Sequence, residues 1–231
     1  IESEILGGKV NFTSSNSSSF KRGIDLNAEG ILQGKGFEDW INKTFEIALD
    51  KKVVGSTEYQ AGIRLFEGSV NIAVNTDLRG LLLDLPKPIF KDHENSWELK
   101  ANFLYRPNLN NKTWQRIWDI RASNGLIFLL DEIKEDLTKL ANKTSTRKKF
   151  AILFDDKNSD VFQDEVFKEF SSDTHNKILV NNSTFDLKNW IVFVSQSKNF
   201  SKANFLKNLK NNSLKFELGT NDLKIGNYSF T

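Results

Sequence analysis

Cysteine is absent from all 231 residues, and so is methionine. The first absence excludes disulfides, a thiol nucleophile and thiolate metal sites, while leaving the redox compartment open. The second, in a chain that opens with Ile1, leads us to expect a piece of a longer product. No apolar run approaches the ~20 residues that a membrane-crossing helix needs. The best are Leu81 to Leu85 and Trp190 to Val194, and the N-terminus lacks a basic-then-apolar signal pattern, so we expect a soluble piece. A strong charge of either sign is also missing: 32 basic side chains face 30 acidic ones, a net of +2. That balance gives no field to recruit nucleic acid or an anionic surface. A Gly-x-Ser-x-Gly elbow, a phosphate-binding loop and a dinucleotide fingerprint are all lacking.

What the sequence does contain is alternation. From Thr57, residues Tyr59, Ala61, Ile63 and Leu65 interleave with Glu58, Gln60, Gly62 and Arg64, the period-two pattern of a half-buried strand. Beyond Glu67-Gly68, a turn dipeptide, Val70, Ile72 and Val74 repeat it, which predicts an antiparallel hairpin. A third, more apolar strand is expected over Leu78 to Leu85, stopped by Pro86 and Pro88, two of only three prolines. The pattern recurs at Val10 and Phe12, at Ile24, Leu26 and Ala28, and from Trp97 to Tyr105. It returns at Leu214, Phe216 and Leu218, and again at Leu223 and Ile225 after a turn signal at Gly219 to Asp222.

Helical spacing is confined to few places. Leu130, Ile133, Leu137 and Leu140 predict a helix over Asp131 to Lys143, Asp160 to Phe170 is a second candidate, and Phe37, Trp40, Ile41, Thr44 and Phe45 predict a short third. Asp186 has the chemistry to N-cap a fourth, although the β-branched run Ile191 to Val194 leaves strand open there. Ser14 to Ser19 reads as a loop, and the polar, basic tract Thr144 to Lys149 as a boundary. The expected organisation is a β-rich segment over 1–143, then a helix-containing segment over 144–231 that returns to strands. The fold class is mostly β with a few short helices, built as an antiparallel, twisted, elongated sheet.

Catalytic and metal-binding patterns are weak. His93 and His175 are far apart and lack companion ligands, which points to surface positions. Asp131-Glu132, Asp155-Asp156 and Asp164-Glu165 are adjacent acids of the kind that usually form a solvated face. The Arg147-Lys148-Lys149 cluster and the five tryptophans form a weak case for nucleic acid against so small a net charge. Asn11, Asn42, Asn142 and Asn227 open glycosylation-type triplets, a short motif that Asn-rich composition generates by chance. We therefore expect no enzyme, no cofactor and no metal.

One stretch carries a family likeness. The strand pair from Tyr59, then Asn75-Thr76-Asp77-Leu78-Arg79-Gly80, then Leu85-Pro86-Lys87-Pro88, resembles the YhdP family of AsmA-like envelope proteins, with its Ser-Asp-Leu-x-Gly-like turn followed by Leu-Pro-x-Pro. Phe37-Glu-Asp-Trp40 and Phe185-Asp-Leu-Lys-Asn-Trp190 are similar to the family's acidic-then-Trp segments. After the second proline the family's Leu-Gly-Lys is Ile89-Phe90-Lys91 here, which keeps the lysine and loses the glycine, and Arg106 to Val180 departs further.

The resemblance implies an elongated sheet curled into an open groove, apolar inside and polar outside, in the periplasmic portion of a protein anchored in the inner membrane. It implies a non-catalytic role in moving phospholipid between the inner and outer membranes, with phospholipid and envelope proteins as partners. Tyr59, Ile63, Leu65, Val70, Ile72 and Val74 then become the lipid-binding residues. Shielding an acyl chain of ~16 carbons is worth on the order of 13 kcal/mol at ~0.8 kcal/mol per CH₂, which a continuous apolar face supplies without catalysis. Roughly ten strands at ~4.8 Å spacing extend about 50 Å, one section of a conduit. The competing expectation is a structural β-scaffold that docks a partner protein, its apolar faces forming an ordinary core.

Overall fold

The computed structural model describes residues 2–14, 23–45, 49–108, 113–136, 144–155, 170, 176–186, 188–190, 214–225 and 228–230. Strands β1 (Glu2–Ile5), β2 (Gly8–Ser14) and β3 (Gly23–Gln33) lead into helix α1 (Gly34–Phe45). Then come β4 (Val53–Phe66), β5 (Ser69–Thr76), β6 (Leu81–Leu83), β7 (Leu99–Asn108), β8 (Thr113–Ala122) and β9 (Leu126–Asp136). The chain continues with β10 (Thr144–Asp155), β11 (Asn176–Asp186), β12 (Leu214–Ile225) and β13 (Tyr228–Phe230). All but β6 lie side by side in chain order in one open sheet, and β6 pairs with the start of β4. The fold is mostly β and mostly antiparallel.

The alternation of the sequence sets the register. Glu67 (φ 48°) and Gly68 (φ 79°) form a two-residue turn with positive φ at both positions, the geometry that matches strand twist, so Leu65 meets Val70 and Ile63 meets Ile72. Because opposed residues share a face, one row can be followed across the molecule. It runs Phe12, Ala28, Ala61, Val74, Ala101, Ile120, Phe128, Ile152 and Ile178, every member apolar. The adjacent row holds Leu26, Ile63, Ile72, Phe103, Trp118, Leu130 and Phe150. On the opposite face Glu29, Gln60, Asn75, Lys100 and Arg121 follow one another. That row then turns apolar at Ile127, Leu153 and Leu179.

The change of character coincides with a change of topology. β10 with β11 and β11 with β12 are parallel, whereas the sequence pattern predicted an antiparallel sheet. Parallel neighbours need a crossover of a dozen or more residues, and residues 156–175 and 187–213 intervene. Here the strands bury apolar residues on both faces. Ile127, Leu129, Ala151, Leu153 and Leu179 form a core cluster on the second face, with Phe170 packed against it. Phe154 and Val180 form another on the first face, under Ile89 and Trp190.

At the other end, the first face is covered by α1 and by the chain around β6. Phe37 and Ile41 of α1, with Val53, Leu78, Leu81, Leu83, Leu85 and Trp97, pack against Val10, Ala28, Tyr59 and Ala61. Trp40 stacks on Phe37 at 5.7 Å and meets Trp118 edge-on at 5.4 Å, which carries the helix contact as far as β8. The expected short helix with Trp40 against the sheet is present as α1.

Several expectations are corrected. Asp131 to Asp136 belongs to strand β9, paired throughout with β10 and as far as Lys134 with β8, and not to a helix; its apolar spacing fits both periods, and the long neighbouring strands decide it. Residues 137–143 of that expected helix lie outside the described residues. The strand expected over Leu78 to Leu85 shrinks to Leu81–Leu83 and pairs with β4. Gly219 to Asp222 is the interior of β12, because its partner β11 continues beside it. Thr144 to Lys149 is the first part of β10. Asp186 ends β11, with helical backbone at 188–190; 191–194, the Asp160–Phe170 helix apart from Phe170, and the 15–19 loop lie outside the described residues.

Candidate functional site

The six residues expected to bind lipid share one face, as the hairpin register requires. Tyr59 is buried, and the other five are half-buried. Ile63, Ile72 and Val74 pack against the core cluster that α1 and the β6 region complete, so their face is partly sealed by the chain itself. Burial also pushes the Tyr59 phenol above its ordinary pKa. Leu65 and Val70 stand one row nearer the hairpin turn, beside Ile24, which is 57% exposed.

Farther along the same face, beyond the helix, the apolar rows continue on Trp118, Ile120, Phe128, Phe150, Ile152 and Ile178, all half-buried. Sequence reading missed this part, because β8 lacks clean alternation and β9 imitates a helix. The rows end in a polar band. Arg116 and Glu132 face each other in register, with Nη2 donating to Oε2 at 2.7 Å, and Trp114 faces Lys134. The Arg116 guanidinium lies 4.3 Å from the Trp114 ring centroid, and its Nε is buried with no hydrogen-bond partner.

The turn that carried the family likeness is built for shape. Asp77 Oδ1 accepts the Arg79 N–H at 2.9 Å, Leu78 takes φ 52° and Gly80 φ 87°. A Cβ on Gly80 would sit 2.4 Å from the Ser56 carbonyl oxygen, so glycine is required for β6 to reach β4. Lys91, the lysine kept from the family pattern, is 1% exposed and donates to the carbonyls of Leu81 (2.9 Å) and Asp92 (3.0 Å). Burial lowers its pKa, opposed by the charges of Asp77 and Asp92.

A second buried charge, which the sequence did not single out, fixes the helix. Glu38 of α1 accepts N–H bonds from Lys51 (3.2 Å), Lys52 (2.7 Å) and Val53 (3.1 Å), at the entry to β4. Asn42 adds a two-way link to the Leu49 backbone at 2.9 and 2.7 Å, so its amide is already committed. Both side chains hold α1 down on the apolar face.

The opposite face carries a concavity of about 730 Å³ lined by Lys9, Asn11, Glu29, Gln60, Asn75 and Lys100 among others. Charged and amide side chains share its lining with Ile31, Tyr59 and Leu99, so it is mixed, unlike the apolar hollow that the family likeness implies. A twisted sheet is concave along different diagonals on its two faces, which is how this mixed hollow and a covered apolar face coexist. The expected surface acids are placed variously. Asp131 accepts from Gln115, while its neighbour Glu132 points to the other face and meets Arg116. Asp155 is fully buried and accepts from Asn181 Nδ2 at 2.9 Å. His93 is exposed beside Asp92; His175, Asp156, Asp164 and Glu165 lie outside the described residues. No cluster of metal-ligating side chains occurs among the described residues, and none of their helices is long and apolar enough to cross a membrane. Comparison with family models, curated proteins and solved structures returns no match.

Proposed function

We propose that this chain is a non-catalytic lipid-handling segment of the YhdP-type, AsmA-like kind, along whose apolar face phospholipid passes between inner and outer membranes. The observation that carries the reading is the row from Phe12 to Ile178, apolar on every strand from β2 to β11 apart from the short, off-path β6, with its half-buried continuation past α1 at Ile120 and Phe128. A polar row on the other face of β3 to β8 supplies the wet side of such a track. In this reading the chain lies in the periplasm, a segment elsewhere in its parent anchors it in the inner membrane, and its partners are phospholipid and envelope proteins.

Photo-crosslinkers at Ile120 and Phe128 should capture phospholipid in cells, and at Arg121 and Asn102, on the polar face, they should not. Equal labelling at the two pairs would sink the reading. Ile63 and Ile72, beneath the core cover, should label less than Ile120. A second reading, a β-scaffold that docks a protein, draws on that cover, since Tyr59 and Ala61 are core residues. It predicts crosslinks from Ile120 to protein with no lipid recovered by mass spectrometry.

A further inference from the structure

The polar band at the end of the apolar rows has a composition that packing does not require. We infer that Trp114, Arg116 and Lys134 form a station for the anionic phosphate headgroup of a single phospholipid whose acyl chains lie on the rows beside them; this rests on the lipid reading above.

The register places these residues together on the apolar face, with Trp114 opposite Lys134 and Arg116 opposite Glu132. In the adjoining row Phe103, Trp118 and Leu130 are neighbours, and in the next Ala101, Ile120 and Phe128. A cationic rim therefore borders a continuous apolar area, which matches the two halves of an anionic amphiphile. The span agrees as well. From Arg116 to Ile120 is about 14 Å at ~3.4 Å per residue, against ~15 Å for half of a ~30 Å hydrocarbon core.

The Arg116–Glu132 pair argues in the same direction. Its carboxylate side chain is 9% exposed and its guanidinium side chain 41%. Apolar residues at such positions are commonly as stable as a buried ion pair, so stability alone does not account for it. Stacking on Trp114 and the bond to Glu132 hold the guanidinium plane in place, while the side chain as a whole stays partly exposed. A fixed planar donor suits phosphate oxygens. Lys134, in register with Trp114, adds a second cation beside Arg116.

The test measures binding of the full chain to phosphatidylglycerol and to diacylglycerol with the same acyl chains, each bearing one acyl fluorophore. Wild type should prefer phosphatidylglycerol by about tenfold, the scale of one charge-assisted contact. Lys134→Gln and Arg116→Lys should each erode that preference and leave diacylglycerol binding unchanged. Glu132→Gln, which removes the competing carboxylate, should tighten phosphatidylglycerol alone; a purely structural pair predicts weaker binding of both lipids. Ile120→Asp should weaken both. Equal wild-type affinity for the two lipids, or loss of both in Glu132→Gln, overturns the headgroup station while lipid binding stands. Failure of wild type to bind either lipid overturns the lipid reading, and the station with it.

Discussion

Glu38→Ala is the perturbation whose size can best be worked from the structure. Glu38 is 2% exposed, and its carboxylate receives three successive backbone N–H groups at 3.2, 2.7 and 3.1 Å. Truncation strands those donors. Lys51 is exposed, so water recovers its amide, but Lys52 is half-buried and Val53 is buried. Each unsatisfied buried donor costs about 1–3 kcal/mol, so the loss should be about 4 kcal/mol, much of a typical domain's stability. Glu38→Gln keeps the volume and one acceptor oxygen, and should lose about half as much. Equilibrium urea unfolding, followed both by circular dichroism and by tryptophan fluorescence, measures the difference. Because Glu38 holds α1 over the apolar face, the alanine variant should also bind more of an apolar dye before global unfolding. A loss under about 1 kcal/mol, with no added dye binding, would show that the clip contributes no more than a surface contact.

Three further outcomes follow from the same physics. Gly80→Ala must place a Cβ 2.4 Å from the Ser56 carbonyl oxygen at φ 87°, and should cost at least ~2 kcal/mol in urea midpoint analysis. Trp118→Ala removes the ring packed on Trp40 and Phe103, and should cost about 3 kcal/mol while quenching any change in Trp40 emission on lipid addition. Lys91 has a folded pKa below its unfolded value of 10.5, so between those values the unfolded chain holds more protons. Stability relative to Lys91→Met should therefore rise as pH climbs from the folded pKa toward 10.5; a falling difference in pH-dependent melts would refute the assignment.

Reading the chain residue by residue recovers the strands of its first half, since Tyr59, Ala61, Ile63 and Leu65 alternate and Glu67-Gly68 supplies a turn with positive φ at both positions. Alternation also fixes which side chains share a face, so the six residues named for lipid stand together in the structure. It does not say what lies over that face. α1 reaches Trp118 from far away in sequence, and Glu38 finds its three amides across the link to β4, contacts that no local period encodes. Asp131 to Asp136 is ambiguous for the opposite reason: its apolar spacing suits a helix, and only β8 and β10, pairing from both sides, make it a strand. The parallel order of β10, β11 and β12 is likewise a matter of pairing between strands far apart in sequence. Local sequence determines period and turn chemistry because steric preference acts over neighbouring residues. Cover, pairing partner and buried charge belong to the tertiary structure, because each depends on free energy shared between residues that only folding brings within reach.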